Sequence, residues 1–136
     1  MTHERPVIAL DVDGVLMPWL NPEYGGWLLA LADRADLVWA TSWEHSANWQ
    51  VGPHVGLPAM PVIEFPHSVK LPAVDAWCAD RPVAWVDDWF SPDTYAWASK
   101  RIAVGLPTFL VPVDPASGLL PVHCELIAVW LNRLAD

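Results

Sequence analysis

An α/β domain with a mostly parallel sheet and helices packed on both of its faces is the fold class that this sequence predicts. Three observations predict it. Short continuous apolar runs alternate with stretches of helical periodicity, several of those runs end abruptly in polar residues, and 54% of the 136 residues are hydrophobic against 17% charged. A chain of this length suits a single domain, 1–136, that buries roughly two-thirds of its unfolded surface. No internal repeat, low-complexity run or Gly/Ser linker divides it.

Val7-Ile8-Ala9-Leu10 is an unbroken apolar run ending in Asp11, the form expected of a central parallel strand. Trp27, Leu28, Leu31 and Ala35 share one face of a helix over about residues 23 to 34. Leu37-Val38-Trp39-Ala40 is the second strand and ends at Thr41, which completes a β-α-β unit. Between Gly52 and Pro66 stand Pro53, Pro58, Pro61 and Pro66, so a strand over Val62-Ile63-Glu64-Phe65 fits only near a sheet edge. Helical spacing returns from about Val69 to Ala79 in Leu71, Val74, Trp77 and Cys78, with Lys70 in the opening turn. Val83-Ala84-Trp85-Val86 is the next apolar run, ending at Asp87-Asp88. Ser91-Pro92-Asp93 reads as the N-cap, first-turn proline and acidic first turn of a helix that reaches about Arg101. Thr108 to Val113 is strand-like, and Pro112, lacking an N–H for the ladder, pushes it to an edge. Leu126, Ile127, Trp130, Leu131 and Leu134 stripe one face of a closing helix.

Sixteen acidic side chains against seven basic ones give a formal charge of -9, a field that repels phosphate backbones unless a cation intervenes. A basic nucleic-acid-binding module is thereby excluded. No apolar stretch is long enough to cross a bilayer and the opening residues lack a signal peptide's apolar core, so the expectation is a cytoplasmic protein without a membrane partner. Cys78 and Cys124 read as buried small hydrophobes and are not spaced for zinc. The histidines, His3, His45, His54, His67 and His123, show no i, i+4 pair and argue against a histidine metal site. Of ten tryptophans, Trp27, Trp39, Trp77, Trp85, Trp97 and Trp130 fall in apolar patterns and read as core. Trp19, Trp43, Trp49 and Trp89 lie in segments that flank the strand ends.

In parallel sheets the chemistry sits at the carboxyl ends of the strands. Those ends carry Asp11-Val12-Asp13-Gly14, Thr41-Ser42 and Asp87-Asp88, with Lys70 opening the helix before the last of them. Any one of these, taken alone, is also an ordinary strand-ending turn. Together and in this order they resemble the four motifs of the haloacid dehalogenase superfamily of phosphohydrolases and phosphotransferases: Asp11 to Leu16 for the first, Thr41 for the second, Lys70 for the third and Asp87-Asp88 for the fourth. A phosphorelay receiver domain also uses acids, a hydroxyl and a lysine, but in an order this chain does not supply. The resemblance spans nearly the whole chain and implies a Rossmann-like sheet of order 5-4-1-2-3, whose outer positions suit the proline-bearing runs.

The residue types make chemical sense in themselves. A carboxylate such as Asp11 can attack phosphorus and form an aspartyl phosphate, splitting one hard displacement into two easier ones. Four carboxylates against Lys70 leave an excess of about three negative charges, and each pair of like charges near 4 Å costs about 4 kcal/mol at a protein-like dielectric. A cation is therefore required, and all-oxygen donors favour Mg²⁺. Asp13, crowded by these anions, has reason to hold a proton for the leaving oxygen and then to activate water. The resemblance implies that Asp11, the backbone carbonyl of Asp13 and one of Asp87 or Asp88 ligate the metal, that Thr41 binds a phosphoryl oxygen and that Lys70 balances charge. An acid at position 13 is absent from the dehalogenase and ATPase branches, and its presence points to phosphate esters.

Only about ten residues separate Gly14 from the next helix, and 52–66 is too short for an independently folded cap. An open site takes a bulky substrate or borrows a lid from a second copy of the chain. The expectation is a Mg²⁺-dependent hydrolase, a phosphatase of phosphomonoesters including nucleotide-like ones, with two alternatives: a polynucleotide-end (3'-) phosphatase resembling the domains found beside RNA-repair modules, and a non-catalytic phosphate-binding module. Trp43 and Trp89, each within two positions of a site residue, are the candidates for an aromatic surface under a ring-bearing substrate, with packing beneath the loops as the alternative.

Overall fold

The computed structural model describes residues 4–66 and 69–135, so His3 and His67 lie outside the described residues. Four strands, β1 (Val7–Leu10), β2 (Asp36–Trp39), β3 (Val83–Asp87) and β4 (Thr108–Pro112), form one sheet in the order β2-β1-β3-β4, every pair parallel. The apolar run of β1 stands at the centre with all four residues fully buried, as a strand covered on both faces must be. Helices α1 (Tyr24–Leu29), α3 (Gly52–Val55) and α6 (Pro121–Leu134) pack on the face presented by Ile8, Leu10, Trp39, Ala84 and Val86. Helices α4 (Lys70–Cys78) and α5 (Pro92–Ala103) cover the other, presented by Val7, Ala9, Val38, Val83 and Trp85.

Several details follow the sequence closely. Ser91 Oγ accepts the Thr94 N–H at 3.1 Å and Pro92 opens α5. Pro112 is the last residue of β4, at a sheet edge where its missing N–H costs no ladder bond. Cys78 and Cys124 are buried free thiols, and burial raises each to a pKa of about 11.

Other expectations are corrected. The sheet has four strands, not five in the order 5-4-1-2-3. The segment 62–65 contributes a single bridge, Val62 beside Trp39, through Trp39 N–H to Pro61 O and Ile63 N–H to Trp39 O, both 2.9 Å. Pro61 and Pro66 deprive the flanking positions of donors, so no ladder extends from that bridge. What holds the proline-rich segment is Asn48 of a short helix, α2 (Ala47–Gln50): its Oδ1 accepts from Trp39 Nε1 (2.7 Å) and Met60 N (2.9 Å), and its Nδ2 donates to Met60 O (2.9 Å). The predicted helix over 23–34 is helical only through Leu29. Beyond it the chain tightens into i to i-3 turns, Leu31 to Leu28 and Arg34 to Leu31, which still bury Leu31 and Ala35. On α6 the buried line is Cys124, Ile127 and Leu131, whereas Leu126 is exposed. Among the six core tryptophans only Trp39 and Trp85 are fully enclosed; Trp27, Trp77, Trp97 and Trp130 are partly buried against the two cores. No helix among the described residues is long and apolar enough to cross a membrane.

Candidate active site

The two central strands end side by side. Asp11 follows β1 and donates its N–H to Val86 O (3.0 Å), while Asp87 closes β3 and accepts the Val113 N–H on its backbone oxygen (2.9 Å). The chain runs from β1 outward to β2 and then crosses back to β3 on the other side of β1, so this pair marks the switch point of the sheet, where α/β folds open a crevice. Lys70, the first residue of α4, reaches both carboxylates: Nζ lies 3.0 Å from Asp11 Oδ1 and 2.8 Å from Asp87 Oδ2. Asp88 completes the group, and Asp11, Asp87 and Asp88 each offer a carboxylate oxygen within 4.8 Å of the others.

Gly14 makes room for this arrangement. It sits at φ +78°, and a Cβ there would lie 2.5 Å from Asp88 Oδ2, so only glycine lets the first loop pass this close to the third acid.

Burial pushes the Asp11 carboxyl above its ordinary range, with Lys70 working against it. Burial and then the Asp11 charge raise Asp87. Asp88 is raised by burial and by its contact with Asp87. Burial alone would lower the Lys70 ammonium, but the charges of Asp11 and Asp87 outweigh it and hold its pKa up. Three carboxylates thus share one ammonium, and the excess negative charge is what a cation relieves. The donors are all hard oxygens, the set that suits a hard divalent ion.

Asp13 and Thr41 stand beside this cluster without joining it. The exposed Asp13 carboxylate accepts Trp43 Nε1 on both oxygens, at 3.2 and 3.3 Å, so it is an indole N–H and not a crowd of anions that meets it. Thr41 is fully buried and its Oγ1 accepts the Trp43 N–H at 3.2 Å. Trp43 therefore bridges the first and second motifs, a role its place two residues after Thr41 did not disclose.

On the α4–α5 side, a cleft of about 380 Å³ opens beside Asp11, Asp87, Asp88 and Lys70. Val69, Leu71, Trp85, Trp89 and Phe90 give it an apolar wall. Trp89 is 69% exposed, and its backbone N–H donates to Asp87 Oδ1 at 3.3 Å. Of this wall the sequence marked only Trp89, because Val69, Leu71 and Trp85 join it from the start of α4 and from β3 through the fold. Compared with family models, curated proteins and solved structures, the chain matches none.

Proposed function

We propose that this chain is a Mg²⁺-dependent phosphohydrolase of haloacid dehalogenase type, acting on phosphomonoesters through an aspartyl phosphate. The observation that carries the reading is Asp11 at the end of the central strand, paired with Lys70 at 3.0 Å and gathered with Asp87 and Asp88 within 4.8 Å. A buried carboxylate backed by one lysine and two further acids is poorly explained by turn formation, since each like-charge contact costs stability that a plain loop would avoid.

In this reading an Asp11 oxygen attacks phosphorus and the ester P–O bond breaks as the acyl phosphate bond forms. Asp13 would carry the proton in this reading: taken up from solvent as the phosphoryl group binds, given to the leaving oxygen, and taken back from the water that releases inorganic phosphate and restores Asp11. Lys70 offsets the charge of Asp11 and of the incoming phosphoryl group, and Thr41 supplies a hydroxyl at the neighbouring strand end. Asp11, the backbone carbonyl of Asp13 and Asp87 or Asp88 would hold the Mg²⁺, which supplies charge neutralisation of the phosphoryl oxygens. The stretch between Gly14 and α1 carries turns and one bridge, Met17 beside Asp13, and the 52–66 segment has α3 as its one α-helix, which supports an open site without a cap.

The test is phosphate release from a panel of sugar phosphates, nucleoside monophosphates and 3'-phosphorylated oligonucleotides. Turnover is expected with Mg²⁺, its loss with a chelator, and a fall of about three orders of magnitude or more in Asp11→Asn, whose amide cannot attack. Turnover that survives chelation, or wild-type rates in Asp11→Asn, would overturn the assignment. No turnover across the whole panel would leave the phosphate-binding module in its place, and preference for the oligonucleotides would shift the reading to a polynucleotide-end phosphatase despite the charge of -9.

A further inference from the structure

The two tryptophans near the site have different employment. Trp43 is half-buried, its indole N–H is taken by Asp13, and it does not line the cleft beside the acids. Trp89 does line it, is 69% exposed, and is tied to the acid cluster through its backbone N–H on Asp87. A large apolar ring left open to water beside a charged site forfeits burial that a bound ligand can recover. Behind it the wall is apolar, and its two hydroxyls, Ser91 and Thr94, are hydrogen-bonded to each other at 2.8 Å. Trp85, 2% exposed, stands behind the wall and packs edge-on against Phe90.

Resting on the phosphohydrolase reading, we infer that this cleft is the leaving-group subsite and that it takes a heteroaromatic ring, a nucleobase of a mononucleotide, stacked on Trp89. Its volume of about 380 Å³ lies within the range of small-molecule sites. The wall offers a flat face and little charge, which suits a base and not the polyhydroxyl surface of a sugar alone. Stacking on one tryptophan requires no positive charge, and so it works on a chain whose net charge is -9.

The experiment compares a nucleoside 5'-monophosphate with ribose 5-phosphate, which differ only in the base. Affinities are read by calorimetry on Asp11→Asn with Mg²⁺, and kcat/KM on the otherwise unmodified enzyme. The nucleotide is expected to be favoured by about ten- to a hundredfold, Trp89→Ala to erase most of that preference, and Trp89→Phe to keep part of it. Trp49→Ala, which removes an exposed tryptophan outside the cleft, is expected to change nothing. Equal binding of the two ligands, no binding of either, or a preference that survives Trp89→Ala would overturn the inference. The two readings fail separately: a Trp89-dependent preference without turnover of any ester defeats the enzyme and keeps the subsite, whereas turnover indifferent to the base does the reverse.

Discussion

Trp43 is the residue whose chemistry depends most on a single hydrogen atom. Its Nε1 donates to both oxygens of Asp13, and its backbone N–H holds Thr41 Oγ1. In the phosphohydrolase reading this makes it a positioning residue for the acid that protonates the leaving oxygen. Trp43→Phe keeps most of the ring and deletes the donor. A long hydrogen bond at an exposed site is worth about 0.5–1.5 kcal/mol, so a fall in kcat of about two- to tenfold is expected with KM little changed. The decisive measurement is the leaving-group dependence. An alkyl phosphate needs the proton and should lose the larger factor, while a nitrophenyl phosphate, whose leaving oxygen departs unprotonated, should lose less. Equal losses on both would assign Trp43 to packing.

Among the elements, α1 shows two adjacent glycines in opposite situations. A Cβ on Gly25 would lie 2.3 Å from the backbone oxygen of Gly56, just past α3, whereas one on Gly26 would meet nothing within 4 Å. Gly25→Ala must push the two segments apart and should cost about 1–3 kcal/mol in urea unfolding. Gly26→Ala should be neutral or add up to about 1 kcal/mol, because alanine restricts the unfolded chain and favours helix. Similar values for the two would mean that α1 does not approach α3 this closely. The pair also shows where sequence reading stops. Apolar patterns located α4, α6 and all four strands, and the Ser91-Pro92-Asp93 cap located α5, because each of these signals is local. Close approach between distant backbones leaves no pattern, so neither the role of Gly25 nor that of Gly14 against Asp88 was legible. The same holds for the hub at Asn48, which pins the proline-rich segment through contacts to Trp39 and Met60. At the site, three motif segments were legible as polar residues ending apolar runs and the other as Lys70 opening a helix, and Asp11, Lys70, Asp87 and Asp88 do meet. Of the apolar cleft wall only Trp89 was legible, since Val69 and Trp85 join it only through the fold.

Across the whole molecule, the two ends of the sheet treat charge in opposite ways. At the carboxyl end three acids share Lys70, and burial raises the pKa of each, with repulsion adding to it at Asp87 and Asp88, a standing cost to stability at neutral pH. At the amino end one acid has two cations. Asp36, at the start of β2, accepts Arg5 Nε at 2.7 Å and Arg81 Nη2 at 2.5 Å, and Arg81 Nε donates to Arg5 O at 2.8 Å, so the leads into β1, β2 and β3 are tied together. Partial burial would raise the Asp36 pKa, but the hydrogen bonds and charges of Arg5 and Arg81 outweigh it and hold it below its ordinary value. A folded-state pKa below the unfolded one means that this stabilisation is fully present above about pH 4 and is lost as pH falls through the depressed value. Because Asp36 is 43% exposed, solvent screening limits the pair to about 0.5–1 kcal/mol. Asp36→Asn should therefore destabilise by that amount at pH 7, and the gap between variant and wild type should close as pH falls through the depressed value. Urea unfolding of both proteins at a series of pH values reads the difference directly. A gap that stays constant down to pH 2 would mean that Asp36 acts through shape and neutral hydrogen bonds, and that the acid sensitivity of the fold resides elsewhere.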